Sequence, residues 1–393
     1  MNDAIMSRCG VNDVKLIDTF KLFDRHVNSN AKVIIAFSGG KDSTTISLLF
    51  YMWLEDRGRS DINLLLLHND TLSEIWDMEL WTREFGAKLI NMFKKVGAKS
   101  EFKIVTPSAK DTFYWRVLIK GYPAPTYKFR WCTWLFKRKP TENFLRHLNN
   151  KDIILILGSR NDESPNRARF LKARFIPGSG TAYHIVQEIN KRLIKSLLPI
   201  KDWSTSDVMA FLKKCNKEFK HLELSKILKL YAIHDSNTST KVRYGCWHCT
   251  LIKRQEAHYV LRGGYYYYEA LRILYRRISD MKTLRVPKNY GYSRFGSLNI
   301  VGRALMYYLI KAAEELSGIR MYGLDEAKID NIALREILYG DESNADPEAT
   351  QIINIIRSMK PEVKRVLRKI TMRSYISDVR DAMEYLIDYI NDL

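Results

Sequence analysis

KVIIAF, residues 32–37, is apolar at every position after its first, and the stretches DINLLLLHND, SEFKIVTP and KDIILILGSR follow it along the chain. Short runs rich in Ile, Val and Leu, bounded by polar residues, form strands buried on both faces of a parallel sheet. The stretches between them carry helical periodicity, and strands alternating with helices give a parallel α/β sheet of Rossmann-like architecture. In such sheets ligands sit outside the carboxyl ends of the strands, near the point where strand order reverses. Three of these runs end in polar residues, SGGKDS, HNDT and GSRNDES. Three polar strand ends on one edge would assemble a site.

The rest of the chain divides by character. Residues 1–30 predict an amphipathic N-terminal helical segment, VKLIDTFKLFDRHV, in front of the first strand. The α/β domain is expected over 31–235. A basic and aromatic segment with Cys246 and Cys249 follows over 236–300, and a mainly helical C-terminal region over 301–393. Residues 241–300 hold twelve Lys and Arg against three Asp and Glu, with nine tyrosines, four of them in a row at 265–268. Basic side chains interleaved with aromatic rings offer phosphate contacts and base stacking; the same pattern also suits helices with a tyrosine core and basic outer faces.

With 64 Lys and Arg against 44 Asp and Glu, the net charge of +20 favours a polyanionic partner, DNA in particular. The longest apolar run near the front, ISLLFYMWL, is too short to span a bilayer, and no leader pattern opens the sequence. A cytoplasmic protein with no membrane role is therefore expected. Five cysteines, Cys9, Cys132, Cys215, Cys246 and Cys249, argue for metal or thiol chemistry rather than a disulfide framework.

The loop after the first strand reads Ser38, Gly39, Gly40, Lys41, Asp42, Ser43. A strand, a glycine turn and a helix start turn backbone N–H groups and the positive helix end toward an anion. It is not a Walker A loop, because Ile35 stands at the first glycine position and Asp42 at the hydroxyl position. Ser38 and Ser43 can donate hydroxyls to phosphate oxygens, Gly39 and Gly40 admit the backbone, and Lys41 offsets charge on a leaving group. Asp42 either holds Mg2+ or caps the helix. The segment resembles the pyrophosphate loop of the adenine nucleotide α-hydrolase enzymes, which cleave ATP between its α and β phosphates. That resemblance implies ATP as cofactor and Lys41 and Asp42 as catalytic residues.

The likeness extends along the chain. HNDTLSE places Asp70, Thr71 and Glu74 where that group keeps residues beside the nucleotide. GSRNDESPNRAR resembles a Gly-x-Arg-x-x-Glu-Ser element, with Gly158 permitting close approach and Arg160, Arg167 and Arg169 as phosphate clamps, Arg160 catalytic among them. GYPAPTYKFRWCTWLFKRKP and RYGCWHCT resemble segments of the phosphoadenosine phosphosulfate reductase superfamily, nearest the Dnd/Ssp-type DNA phosphorothioation sulfurtransferases. The resemblance implies a [4Fe–4S] cluster on Cys132, Cys246 and Cys249, with Cys215, Cys9 or His248 as fourth ligand or one iron left open. Zinc, a redox dithiol or plain buried cysteines stay as alternatives.

Sulfonucleotide reductases of this superfamily attack with a cysteine near the C-terminus, and no cysteine follows Cys249 here. The resemblance therefore points to ATP-dependent activation of a DNA phosphate oxygen and its replacement by sulfur. It implies a cysteine desulfurase donor and other phosphorothioation proteins as partners, and leaves a homo-oligomer open. A tRNA thiolase, a sulfonucleotide reductase-like enzyme and a non-catalytic nucleotide- or nucleic-acid-binding component are the competing readings.

Overall fold

The computed structural model describes residues 13–29, 31–148, 153–163, 168–169, 171–172, 184–189, 192–232, 245–251, 265–287, 295–319, 381–386 and 388. The chain forms two compact units, and both are discontinuous in sequence. The first comprises residues 1–69, 77–105 and 140–242; the second comprises 70–76, 106–139 and 243–393. Each is therefore assembled from segments that chain order separates.

The first unit is the expected α/β sheet. Its strands are β1 (Lys32–Phe37), β2 (Asn63–Asn69), β3 (Lys99–Val105), β4 (Ile153–Ile156), β5 (His184–Ile189) and β6 (Arg192–Leu197). They lie in the order β3-β2-β1-β4-β6-β5, all parallel except the edge strand β5, which pairs antiparallel with β6. Alternation along β1 shows why its sequence is continuously apolar. Val33, Ile35 and Phe37 enter one core with Leu64, Leu66, Ile154 and Ile156, while Ile34 enters the opposite core with Leu65, Leu67, Ile153 and Leu155. Both faces are buried, as a parallel sheet requires.

Helices α1 (Asp13–His26), α2 (Lys41–Arg57), α3 (Trp76–Lys95), α4 (Lys139–Arg146), α5 (Thr205–Glu218) and α6 (Ser225–Ala232) accompany this sheet. The chain winds from β1 out to β3 on one side and resumes at β4 on the other side of β1. The reversal places a switch point between β1 and β4, so the carboxyl ends of those two strands open the crevice where ligands bind in such folds.

The second unit is mainly helical. Helices α7 (Tyr265–Asp280) and α8 (Ile300–Ser317) pack with a π-helical turn over Trp115–Ile119, and a short antiparallel pair joins β7 (Arg285–Pro287) to β8 (Phe295–Leu298). Asn299 caps α8 by accepting the Gly302 N–H at 2.9 Å. The two ends of the tyrosine row and a later ring of the same helix face inward: Tyr265, Tyr268 and Tyr275 are buried, while Tyr266 and Tyr267 are half-buried; Tyr268 Oη donates to the Ile319 carbonyl and Tyr275 Oη to the Tyr122 carbonyl. This part of the aromatic segment is core, which leaves three of its rings unable to stack on a base. The predicted helix over DEAKIDNIALREIL lies outside the described residues. No helix among the described residues is long and apolar enough to cross a membrane.

Candidate functional sites: a glycine loop and, separately, a thiol cluster

The loop between β1 and α2 turns at Gly39, whose φ of +69° favours glycine. A Cβ there would also lie 2.1 Å from Thr82 Oγ1 on α3, so both backbone and packing exclude a side chain. Ser43 Oγ closes the loop internally, donating to the Gly40 carbonyl at 3.0 Å and taking the Ser38 N–H at 3.2 Å, with Ser38 Oγ also at 3.2 Å. Gly40 is the N-cap of helix α2 and supplies no side-chain cap, while Asp42 is the acid of the first turn, beside the positive helix end.

Beneath the loop, His68 on β2 joins the end of β1 to α3. One ring nitrogen lies 3.0 Å from the Phe37 carbonyl and the other 2.9 Å from Glu79 Oε2. Both partners are acceptors when Glu79 is ionised, so the ring that makes both bonds carries two protons. Burial pushes the Glu79 carboxyl up, but His68 and Arg83 outweigh burial and hold it below its ordinary value. This buried chain fixes the residue that immediately precedes Ser38.

Lys41 and Asp42 are neighbours in space as well as in sequence, with Nζ 2.9 Å from Oδ2. The other Asp42 oxygen accepts Arg160 Nε at 2.7 Å. Gly158, after β4, lies so close that a Cβ on it would stand 3.0 Å from the Asp42 carbonyl. Arg160 is almost wholly buried, and its remaining donors reach Asp162, the Trp203 carbonyl and Thr205. Its guanidinium therefore positions Asp42 instead of presenting an open fork to phosphate. Arg169 is exposed and Arg167 lies outside the described residues.

Tyr231 on α6 is the residue that sequence reasoning passed over. Lys41 Nζ stands 5.0 Å from its ring centroid, and its hydroxyl would lie 3.6 Å from a Cβ on Gly40. The phenol oxygen also takes the Lys41 backbone N–H. Tyr231 thus holds a donor that a phosphate oxygen would use. It sits some 190 residues downstream in an unremarkable helical stretch, with no local signal of this role.

The second unit gathers the cysteines with part of the HNDTLSE element. Asp70 accepts the Leu72 N–H at 2.7 Å in a local turn. Thr71 Oγ1 lies 3.0 Å from Glu74 Oε1 and 3.4 Å from Cys246 Sγ, and Glu74 pairs with Cys246 in an isolated antiparallel bridge. Cys246 Sγ is 3.7 Å from Glu74 Oε1, and Lys137 Nζ is 3.8 Å from the same oxygen. Burial, then the Glu74 carboxylate, pushes the Cys246 thiol well up; burial, then the Cys249 thiol, pushes Cys132 up. Lys137 is raised by Glu74 first, with all three thiols adding to it. The backbone of the Cys-x-x-Cys turn is held from α7, where Arg272 donates to the Cys249 carbonyl at 3.2 Å and Arg276 to the Thr250 carbonyl at 3.3 Å. Two arginines of the basic segment are thereby used structurally.

Three thiols, with a lysine to offset thiolate charge, are a donor set suited in kind to a soft metal or an iron–sulfur cluster. Among the described residues, no three His, Cys, Asp or Glu side chains converge as a metal site. His248, within the turn, is buried and stacked on Phe113 at 3.9 Å, with Nε2 3.1 Å from Ser73 Oγ. Its Nδ1 has no hydrogen-bond partner among the described residues, and burial lowers the ring's pKa to about 3. A neutral imidazole with an unpartnered nitrogen is a competent ligand. Cys215 instead packs in the first unit's core, and Cys9 lies outside the described residues.

Residues 32–252, more than half of the sequence, match the phosphoadenosine phosphosulfate reductase domain. The chain belongs to that family. Two uncharacterized proteins of Methanocaldococcus jannaschii are similar to this family member. One is 27% identical over 231 residues, 58% of this chain and 38% of its own length; the other is 29% identical over 192 residues, 49% of this chain and 38% of its own length. The match thus spans less than two fifths of either relative. Among solved structures, the Candida glabrata FMN adenylyltransferase in complex with FAD and inorganic pyrophosphate superposes with a TM-score of 0.32 at 13% identity, covering 51% of this chain and 56% of that one. So loose a superposition bears on neither site. Family membership and the observed sheet establish a nucleotide-binding α/β domain.

Proposed function

We propose that this family member is an ATP pyrophosphatase and sulfurtransferase that adenylates a backbone phosphate oxygen of DNA and supports its replacement by sulfur. The observation that carries the reading is the Ser38–Ser43 loop at the β1/β4 switch point, with Asp42 anchored by Arg160 from the end of β4. A loop of this composition, at the uncapped start of α2, offers backbone N–H groups and Lys41 to a departing pyrophosphate.

In the proposed sequence a non-bridging phosphate oxygen attacks the α-phosphorus of ATP, and the bond to the β-phosphate breaks. Pyrophosphate leaves with the electron pair, stabilised by Lys41 and the loop amides. A sulfide-level nucleophile, supplied by a cysteine desulfurase and freed by thiol reduction, then attacks the activated phosphorus, and AMP departs. Asp42 would hold Mg2+: its oxygens already accept Arg160 and Lys41, but a carboxylate has about four acceptor positions and so keeps capacity for a hydrated ion. Cys132, Cys246 and Cys249 would hold an iron–sulfur cluster, with His248 Nδ1 as the fourth donor. When bound, such a group supplies thiophilic iron for handling sulfur.

The test is release of AMP and pyrophosphate from ATP, with and without DNA, by the protein and by Lys41→Ala. Absence of pyrophosphate from the unsubstituted protein under both conditions overturns the reading. Iron content and electron paramagnetic resonance on anaerobic protein test the cluster separately.

A further inference from the structure

Among the described residues of the second unit, exposed aromatic side chains concentrate beside the thiol cluster. Tyr127, Phe129 and Trp134 are 78%, 49% and 44% exposed, and all lie within five residues of Cys132. Trp76, also exposed, stands two residues from Glu74. A core-forming sequence hides such rings, as Tyr265, Tyr268 and Tyr275 are hidden on α7.

The local structure holds these rings outward. Residues 126–129 form a tight turn in which Thr126 and Phe129 exchange backbone hydrogen bonds at 3.2 and 3.1 Å. Tyr127 Oη donates to the Leu251 carbonyl at 3.0 Å, and Thr250 Oγ1 to the Pro125 carbonyl at 2.8 Å, so the turn is laced to the segment that carries Cys249. Trp134 stands on a π-helical turn over Thr133–Arg138, with the Arg138 guanidinium 5.1 Å from its ring centroid. Over residues 106–139 there are eight Lys and Arg and a single acid, Asp111, which is buried against Arg116 and Lys139. The solvent therefore meets rings set among Lys128, Arg130 and Arg138 with no carboxylate from that stretch beside them.

Exposed rings interleaved with cations are the chemistry that holds unpaired nucleotides: bases stack on the rings while the cations track the phosphates. We propose that the surface formed by Tyr127, Phe129 and Trp134 with Lys128, Arg130 and Arg138 binds a single-stranded or everted segment of nucleic acid at the thiol cluster. Tyr265, Tyr268 and Tyr275 of α7 have a packing role instead. The inference rests on the nucleic-acid substrate of the proposed function and deepens it, since the strand would be engaged with bases unstacked rather than as an intact duplex.

The experiment is fluorescence anisotropy of the full chain with a labelled single-stranded deoxyoligonucleotide and with the matching duplex, across a salt series. The single strand is expected to bind more tightly. Tyr127→Ala, Phe129→Ala and Trp134→Ala should each weaken it by about 5- to 100-fold, as loss of one stacked base implies, with the salt slope unchanged. Trp134→Phe should retain most of the affinity, and Arg130→Gln should reduce the salt slope by about 0.7. Aromatic variants that melt like the parent yet bind the single strand as well as it does overturn the proposal, as does a chain that binds no oligonucleotide. If affinity falls in these variants while no sulfur enters DNA, the surface stands and the sulfurtransferase reading fails. If the triple alanine variant inserts sulfur as the parent does, the surface is wrong and that reading survives.

Discussion

Arg160 Nε donates to Asp42 Oδ1 across 2.7 Å, and this bond ties the segment after β4 to the loop after β1. Arg160 is buried and its other donors are taken up by Asp162, Trp203 and Thr205, so its removal would leave Asp42 without its main support. Breaking such a pair from one side costs about 3–5 kcal/mol when both members are buried, and Asp42, partly exposed, sets the lower end for this one. Arg160→Ala should lower the melting temperature and cut the rate of ATP cleavage by about 100-fold, the usual cost of misplacing a reacting group by an ångström. Arg160→Lys keeps the charge but loses the fork, and should recover stability more than rate. Equal loss of stability and rate in both variants would remove the positioning role.

Gly39 faces two independent obstacles to a side chain, a φ of +69° and a Thr82 Oγ1 that would stand 2.1 Å from any Cβ placed there. Gly39→Ala should therefore destabilise the first unit by about 1 kcal/mol or more from backbone strain alone and displace the loop from α3. Combining it with Thr82→Ala should remove the 2.1 Å contact, keep the 3.0 Å contact to the Cβ of residue 82, and leave the strain. Isothermal titration with ATP checks this: the single variant should lose binding, and the double variant should recover it only in part.

Much of the first unit was legible because its physics is local. Continuous apolar runs such as KVIIAF and NLLLLHN mark strands buried on both faces, and SGGKDS marks the turn between a strand and a helix start. The β5–β6 pair and the antiparallel edge left no such mark, because HIVQEI and RLIKSL mix polar with apolar residues and lack the continuous apolar run of the central strands. The Tyr265–Tyr268 row was ambiguous in sequence for a plain reason: helical periodicity decides which rings face inward only once a partner helix is known, and α8 supplies it. Long-range partners were not legible. Nothing near Lys41 announces Tyr231, and nothing in HNDTLSE shows that Thr71 and Glu74 meet Cys246 rather than act only as turn residues.

Asp111 gives the second unit a pH signature. Burial raises its carboxyl, but hydrogen bonds from Lys139, Arg116 and Ser108 outweigh burial and hold it below the ordinary carboxylate value. A depressed folded-state value contributes stability that is fully present above the unfolded carboxylate pKa of about 3.9 and is lost as pH falls through the folded value. Asp111→Asn should therefore cost about 1.5–3 kcal/mol at neutral pH, the range for hydrogen bonds to a charged group. The gap to the parent should close as the pH drops below about 4, which denaturant melts across pH can follow. A gap independent of pH would assign the loss to packing.

Tyr231 makes an opposite prediction about binding. Its phenol oxygen takes the Lys41 backbone N–H, and its ring lies 5.0 Å from the Lys41 ammonium, so both groups are occupied before any phosphate arrives. Tyr231→Phe keeps the ring and frees the amide. A hydrogen bond of this kind has a net worth of about 1 kcal/mol, so the dissociation constant for ATP should fall about five-fold. Tyr231→Ala removes the ring as well, leaving Lys41 paired with Asp42 alone. Its affinity should match or exceed that of the phenylalanine variant if the tyrosine acts as a stand-in for the ligand. Titration of both variants decides the matter: weaker binding by Tyr231→Phe would make the hydroxyl a phosphate contact in its own right.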